Sequence, residues 1–129
     1  MNTYSLTQTQ IGIYLSEQSA SEDVNYNIDR LYHLDRSIDP QRLEKALKAV
    51  IDNHPGIKSR LVTSADGDIL FESHAEEAAV VDHYGSEKEM TAALMRRFDL
   101  FNERLYRLGL CDGGDGTLLG ISFSVGLIN

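Results

Sequence analysis

The sequence predicts an α+β domain in which helices are layered on a mainly antiparallel or mixed β-sheet. Helical periodicity with N-caps marks three segments, and β-prone runs bounded by turn residues mark five others. Their order is helix, strand, helix, two strands, helix, two strands. The 129 residues are 42% hydrophobic and 25% charged, which suits a single domain, residues 1–129, with a core of its own.

The first predicted helix runs from Thr7 to about Ser19. Thr7 and Gln10 match a capping box, in which the threonine side chain bonds a downstream amide and the glutamine reaches back to the amide of Thr7. Gly12 destabilises a helix by about 1 kcal/mol relative to alanine, which indicates a close contact there. That contact is either ordinary helix packing or a tunnel or partner surface, with Gln10 and Tyr14 as the tunnel-lining candidates.

A strand from Tyr26 to Leu34 precedes the most strongly specified unit of the chain. Alternation along this strand gives it one mostly apolar face. In the helix that follows, Asp39 is a suitable N-cap and Pro40 takes the first helical position, where no amide hydrogen is needed. An apolar stripe at helical spacing follows: Leu43, Ala46, Leu47, Val50 and Ile51.

Pro55 ends that helix, because proline cannot continue it and restricts the residue before it. A buried strand is predicted from Ile57 to Val62. A hairpin turn at Asp66-Gly67 joins it to a second strand at residues 69–73. Residues 74–85 are predicted to form a short edge segment or a loop.

The last third of the chain predicts one more helix and two more strands. Ser86 and Glu89 match a second capping box. The helical stripe that follows contains Met90, Ala93, Leu94, Arg97 and Phe98. Residues 104–111 and 117–125 are the strands, joined by a hairpin loop at 112–116. The final strand is a continuous apolar-rich run, as expected of a buried central strand.

Composition excludes several classes of partner. The net charge is −8, with 20 acidic and 12 basic residues and no basic cluster, which argues against nucleic acid and anionic membranes. No segment approaches the length of a membrane span, and the first ten residues lack the pattern of a signal peptide. The single cysteine, Cys111, excludes an internal disulfide and fits a reducing compartment. We therefore expect a cytoplasmic protein.

Residue spacing alone identifies no catalytic or metal site. The four histidines have no metal-ligand spacing among them: His33, His54, His74 and His83. His54, beside the proline, is interpreted as a structural stop that bonds backbone carbonyls. The chain has no G-x-S-x-G elbow, P-loop or G-x-G-x-x-G run, and its carboxylates show no obvious acid–base pair. Ser122 and Ser124 are hydroxyls without a recognisable base.

Four stretches match, in order, the motifs of one enzyme family. Residues 4–18 match Y-x-L-T-x-x-Q-x-G through Tyr4, Leu6, Thr7, Gln10 and Gly12, and residues 24–28 match a Y-N entry to the first strand. Residues 38–62 match D-x-x-x-L-x-x-A-L-x-x-L-x-x-R-H-P-x-L-R-T-R-F through Asp39, Leu43, Ala46, Leu47, Val50, His54, Pro55, Ile57 and Arg60. Residues 97–110 match F-D-L-x-x-x-P-L-x-R through Phe98, Asp99, Leu100, Leu105 and Arg107. The ordered set resembles the beginning of a nonribosomal peptide synthetase condensation domain, in the chloramphenicol acetyltransferase-like superfamily.

The resemblance implies a truncated N-terminal lobe, a partial chloramphenicol acetyltransferase-like lobe. The family forms amide bonds between acyl or aminoacyl groups carried as thioesters on the phosphopantetheine arms of carrier proteins. Carrier proteins or other synthetase domains are therefore the implied partners, and no cofactor is expected to bind directly.

The family signature, H-H-x-x-x-D-G, follows the strand that residues 117–125 match. Without gaps, Ser124 and Val125 occupy the histidine slots and Asn129 the aspartate slot. No catalytic residue is therefore expected in this chain, since valine has no proton acceptor. In the family, the arginine matching Arg60 pairs with that aspartate, so Arg60 is the site-shaping candidate.

Three functions remain open. The chain is an inactive condensation-domain fragment, a non-catalytic module that docks a carrier protein or synthetase partner, or a fragment of another acyltransferase-superfamily member, including epimerisation and cyclisation variants. The apolar run from Leu118 to Val125 also predicts a homo-oligomer formed through an exposed sheet.

Overall fold

The computed structural model describes residues 3–8, 10 and 27–124. The first predicted helix lies mostly outside these residues. The elements within them are β1 (Thr3–Ser5), β2 (Asn27–His33), α1 (Pro40–Asp52), a 3-10 turn (Pro55–Lys58), β3 (Ser59–Thr63), β4 (Ile69–Ser73), β5 (Asp82–Tyr84), α2 (Glu87–Leu94), β6 (Tyr106–Asp112) and β7 (Thr117–Ser124).

The strands form two sheets. The larger has the order β2-β7-β6-β5 and is mixed, because β5 runs parallel to β6 while the other neighbours are antiparallel. The smaller has the order β1-β4-β3 and is antiparallel. The predicted α+β class, with a mainly antiparallel or mixed sheet, is confirmed. The edge segment predicted within residues 74–85 corresponds to the three-residue β5.

The two helices cover opposite faces of the larger sheet. Side chains that alternate along β6 and β7 divide between two cores, because successive residues of a strand point to opposite faces. The core beneath α1 contains Ile51, Tyr106, Leu108, Leu110 and Leu119. The core beneath α2 contains Met90, Leu94, Cys111 and Leu118. The central strands are therefore covered on both sides, as the apolar sequence of β7 predicted.

Helix α1 buries less of its apolar stripe than the sequence predicted. Ile51 is buried, and Leu43 and Leu47 are partly buried against the same core. Ala46 is exposed and Val50 is 53% exposed. The residues of α1 that contact the core are four apart in sequence: Leu43, Leu47 and Ile51. Ala46 and Val50 lie one position before two of them, on the side of the helix. Ala46 and Val50 of the apolar stripe therefore lie outside the contact with the core.

Side-chain caps define both helix starts. The carboxylate of Asp39 accepts the amide hydrogen of Gln41 at 2.9 Å. The Ser86 hydroxyl accepts from the amide of Glu89 at 3.1 Å, as the second capping box requires. The Glu89 carboxylate accepts from the amide of Gly85 at 3.3 Å, one residue before the predicted donor. Sequence therefore located both starts correctly.

Some elements differ from the sequence prediction. The strand predicted from Ile57 begins at Ser59, because Pro55 opens a 3-10 turn over the intervening residues. Helix α2 ends at Leu94 and does not extend to Phe98. Strand β1 was not predicted at all, since a three-residue strand is recognisable only by its pairing with β4.

A pair of glycines lets α2 lie close to the sheet. Gly109 of β6 and Gly120 of β7 are opposite each other in the register. A Cβ atom at Gly109 would lie 2.9 Å from the Leu94 side chain, and one at Gly120 would overlap the same methyl group. Leu94 and Met90 of α2 therefore occupy the space that side chains at these two positions would need, and both are almost fully buried.

Arg107 is a buried cation that fixes the end of α2. Its Nη1 donates to the carbonyls of Leu94 at 2.8 Å and Arg96 at 2.6 Å, and its Nη2 to that of Arg97 at 3.2 Å. The guanidinium also lies 3.7 Å from the centroid of the Phe98 ring. The last carbonyls of a helix need donors from outside it. Arg107 supplies a donor to the last helical residue, Leu94, and two more to the segment that follows, which holds the chain in place where α2 ends.

Glu103 compensates the charge of Arg107. Its carboxylate accepts from Arg107 Nη2 at 3.0 Å, from Arg96 at 3.1 and 3.2 Å, and from the amide of Asp99 at 2.8 Å. Burial raises the pKa of Glu103, but these hydrogen bonds outweigh burial and hold the pKa below its usual value. Burial lowers the pKa of Arg107. The pair thus keeps one charge of each sign inside the fold.

We expect Gly120→Ala to lower the free energy of unfolding by about 1–3 kcal/mol, because the added methyl group overpacks the contact with α2. Urea denaturation measures the change. Gly56→Ala is the matched control, since nothing lies within 4 Å of a Cβ atom at that position. Equal losses in the two variants would contradict the close-contact explanation.

Arg107→Met is expected to destabilise the protein by about 3 kcal/mol, because it leaves Glu103 and three carbonyls without their buried donor. The comparison variant is Arg42→Met on the exposed face of α1, for which we expect a change within about 0.5 kcal/mol. Chemical denaturation at neutral pH distinguishes them. A loss below about 1 kcal/mol for Arg107→Met would show that the buried cation is dispensable.

The lowered pKa of Glu103 predicts a pH-dependent contribution to stability. The ionised carboxyl stabilises the fold above its unfolded-state pKa of about 4.3, and this stabilisation disappears as the pH falls through the lower folded-state pKa. Glu103→Gln should be less stable than the parent at pH 7 and lose less stability on acidification. Unfolding curves at neutral and acidic pH test this, with the exposed Glu76→Gln as control. Parallel pH profiles for parent and Glu103→Gln would refute the linkage.

Candidate functional site

The candidate site lies at the end of β7, where the resemblance places the family signature. Ser124 is the last residue of β7, is 1% exposed, and donates its amide hydrogen to the carbonyl of Leu105 at 3.0 Å. Its side chain shares a face of the sheet with Ser122. The other two slots, Val125 and Asn129, lie outside the described residues.

Ser122 has a carboxylate partner that the sequence analysis missed. Its hydroxyl donates to Oδ1 of Asp29 at 2.5 Å, and the two residues are register partners across β2 and β7. They are far apart in sequence, so only strand pairing brings them together. The bond satisfies a fully buried hydroxyl and ties β2 to the central strand beside the site.

Gln10 belongs to the capping box that the sequence predicted. The side-chain Oε1 of Gln10 accepts the backbone amide hydrogen of Thr7 at 2.8 Å, and the backbone amide of Gln10 donates to the Thr7 hydroxyl at 3.1 Å. Both halves of the box are therefore confirmed. Gln10 is buried, and its tunnel-lining role stays a prediction. Tyr14, the other tunnel-lining candidate, lies outside the described residues.

Arg60 lies on β3 and has an acidic partner that the resemblance did not suggest. Its Nη2 donates to Glu77 at 2.7 Å. Glu77 also faces Nδ1 of His74 at 3.0 Å, and Nε2 of His74 lies 2.9 Å from Glu72. The aspartate slot at Asn129 is outside the described residues, so the site-shaping role of Arg60 stays a prediction.

Lys58 fixes the segment that carries Glu77. Its side chain is 6% exposed, and its ammonium donates to Asp52 at 2.6 Å and to the carbonyl of Glu77 at 2.7 Å. This buried contact joins α1, the 3-10 turn before β3, and residues 75–77. Sequence alone did not predict this contact, because residues 74–85 were expected to form an edge segment or loop, which gives no partners. The orientation of Arg60 thus depends on a network that begins at Lys58.

Two cavities of the described part open beside these elements. The first, of about 390 Å³, lies between the start of α1 and the 112–116 loop, with the ion pair of His83 and Glu44 and the thiol of Cys111 in its wall. Burial raises the pKa of Cys111, so the thiol is protonated and weakly nucleophilic. The second, of about 400 Å³, we call the arginine cavity after four residues of its wall: Arg60, Arg96, Arg104 and Arg107.

The described residues contain no group of three or more histidines, cysteines, aspartates or glutamates that could hold a metal ion. Within the same part of the chain, no helix is long and apolar enough to cross a membrane. The polar groups that the site does offer are guanidinium groups, carboxylates and buried hydroxyls. Such groups can bind and orient a polar molecule through charge-assisted hydrogen bonds.

Comparison with known sequences finds one family. The model of the family described as "Condensation domain" matches residues 1–123. One of the plipastatin synthase subunits of Bacillus subtilis (strain 168) is 28% identical over 110 residues, which cover 81% of this chain and 4% of that protein. Surfactin synthase subunit 1 of the same organism is 27% identical over 110 residues, covering 83% of this chain and 3% of that protein. The chain therefore spans only a few per cent of these curated relatives.

Solved structures show the same fold. The starter condensation domain of the rhizomide synthetase RzmA superposes with a TM-score of 0.77 at 20% identity, covering 98% of this chain and 33% of that one. The condensation domain of the Monacolin K polyketide synthase MokA gives a TM-score of 0.78 at 19% identity, covering 96% of this chain and 30% of that one. At this level of identity the likeness shows the fold, which in condensation domains is chloramphenicol acetyltransferase-like.

The sequence match and the fold thus agree with the motifs found along the chain. The match extends through almost all of β7, the strand that leads to the signature position. The shared fold includes both sheets. Arg60 and Arg107 both occupy positions of the motifs that carry the sequence resemblance. The chain belongs to the condensation domain family.

Proposed function

We propose that this chain forms one wall of a condensation site, in a nonribosomal peptide synthetase that joins acyl or aminoacyl groups. Those groups would be carried as thioesters on the phosphopantetheine arms of carrier proteins, which act as substrates and partners. The family match over residues 1–123 supports this role. Because the chain spans about a third of the solved condensation domains it resembles, we assign the complete reaction to the assembled synthetase and not to these residues alone.

The residue at the end of β7 carries the proposal. The first histidine slot of the signature is Ser124, a buried residue whose amide is fixed by the carbonyl of Leu105. A serine hydroxyl is a poor proton acceptor near neutral pH, and the valine in the second slot has none. We infer that these residues position the site without performing the histidine-dependent step.

The site-shaping role proposed for Arg60 fits its surroundings. The ion pair with Glu77 holds its guanidinium in place, and the network around Lys58 fixes Glu77 in turn. A guanidinium remains charged at all physiological pH values and donates from a rigid planar fork. These properties suit a residue that donates hydrogen bonds to the segment after β7 and thereby holds that segment in place.

The serine in the histidine slot also favours a second candidate function. A chain without the proton acceptor could serve as a non-catalytic module that docks a carrier protein or another synthetase domain. In that role, recognition of the partner would not depend on the rest of a condensation site. The two candidates therefore differ in whether the isolated chain binds a carrier protein.

We expect the isolated 129-residue chain to form no dipeptide from two carrier proteins loaded with aminoacyl thioesters, because its histidine slots hold no base. Mass spectrometry of the carrier-bound products measures the outcome. A complete condensation domain acting on the same carriers is the positive control. Product above the level of a no-protein control would overturn the proposal that the chain is inactive by itself.

A binding measurement separates the two candidates. Fluorescence anisotropy of a labelled carrier protein, with and without its phosphopantetheine arm, is followed as the chain is added. Saturable binding without product formation favours the docking module. Absence of both binding and product favours a wall that works only within an assembled condensation site.

A further inference from the structure

His74 is a buried histidine with a carboxylate on each side of its ring. Its side chain is only 8% exposed. Nδ1 lies 3.0 Å from an oxygen of Glu77, and Nε2 lies 2.9 Å from an oxygen of Glu72. Neither the sequence pattern nor the family resemblance assigned this histidine a role. Its two contacts place it at the centre of a charged cluster that reaches Arg60 through Glu77.

Strand pairing brings the members of this cluster to one face of the smaller sheet. Glu72 of β4 is the register partner of Arg60 on β3, so their side chains share a face. His74 follows Glu72 by two residues, which returns its side chain to that face. Glu77 approaches from the segment after β4 and accepts from Nη2 of Arg60 at 2.7 Å. The contacts therefore run from Glu72 through His74 and Glu77 to Arg60.

The other charged residue beside His74 is Lys58, in the 3-10 turn before β3. Its carbonyl accepts the amide hydrogen of His74 at 3.0 Å. Its ammonium donates to Asp52 of α1 and to the carbonyl of Glu77, at 2.6 and 2.7 Å. The electrostatic environment of the ring is therefore set by the two carboxylates beside it, with Arg60 one contact further away.

Both contacts of the His74 ring are favourable only when both of its nitrogens carry a proton. A neutral imidazole has one N–H and one lone pair, so either neutral tautomer sets a lone pair against a carboxylate oxygen. The imidazolium instead presents a proton to each glutamate. Histidine is the side chain that changes charge between about pH 5 and 8. The bridge between Glu72 and Glu77 is therefore complete when His74 is charged and opens as the pH rises.

We propose that His74 is a positioning residue for Arg60, which acts through Glu77 and depends on pH. The charged ring holds Oε1 of Glu77, and Arg60 holds Oε2, so the carboxylate is fixed between them. Loss of one proton from the ring turns an attraction into a repulsion. The ring and Glu77 then shift, and the guanidinium that shares Glu77 shifts with them. The consequence for a condensation site rests on the function proposed above, in which Arg60 shapes that site.

Nitrogen NMR of the 129-residue chain from about pH 5 to 8 tests the proposal. In long-range proton–nitrogen spectra, an imidazolium gives two nearly equal nitrogen shifts, whereas a neutral ring gives two widely separated ones. The Nε of Arg60 is buried, so its proton is protected from water and can be observed. We expect the Arg60 Nε–H signal to move with pH at the same midpoint as the His74 ring. Spectra of His74→Gln and Arg60→Lys assign the two signals.

His74→Gln separates positioning from a purely structural role, because glutamine carries no charge at any of these pH values. We expect the pH-dependent movement of the Arg60 signal to disappear in this variant. Glu77→Gln should also abolish the Arg60 response, while the His74 ring still changes its protonation. Glu76→Gln, which removes an exposed neighbouring carboxylate, is the matched control and should leave the midpoint and size of the Arg60 response unchanged.

Circular dichroism verifies that each variant is folded. The Glu77 side chain is 42% exposed, so Glu77→Gln provides the test of coupling should His74→Gln fail to fold. An Arg60 signal that does not move with pH, or that moves equally in the parent and in the folded variants, overturns the proposal. So do two widely separated nitrogen shifts of His74 at every pH. These readouts need no carrier protein, so their failure is distinct from a failure of the proposed condensation role.

Discussion

The buried guanidinium of Arg107 is the interaction on which the rest of the larger sheet depends. A cation inside a protein must be compensated by an opposite charge and hydrogen-bonded, or it destabilises the fold strongly. The terminal nitrogens of Arg107 donate to the carbonyl of the last residue of α2, to two carbonyls of the segment that follows, and to the carboxylate of Glu103. The helix, the loop that follows it and the start of β6 are consequently held together by one side chain.

This constraint positions the candidate site indirectly. β6 carries Arg107 near its start and pairs with β7 along its length, and the close-packed glycines of the two strands allow α2 to cover both. The amide of Ser124 bonds the carbonyl of Leu105, just before β6. The end of β7, where the signature position falls, is thus tied to the same region that Arg107 organises. On the smaller sheet, Lys58 and Glu77 orient Arg60.

Sequence predicted the local features well, because their causes are local. The cap at Asp39, the stop at Pro55 and the hairpin at Asp66-Gly67 each follow from the chemistry of one or two residues. His54, interpreted as a stop that bonds carbonyls, has Nδ1 2.7 Å from the carbonyl of Val50. The family resemblance was likewise carried by short ordered motifs, and the family match confirms it.

What sequence could not predict are the pairings between distant residues. The bond of Asp29 with Ser122 exists only because β2 and β7 are neighbours, and no spacing rule encodes it. The bonds at the end of α2 have the same origin, since Arg107 of β6 donates to the carbonyl of Leu94 and to those of two residues beyond the helix. Arg60 joins the other cavity arginines for a similar reason, from a separate sheet.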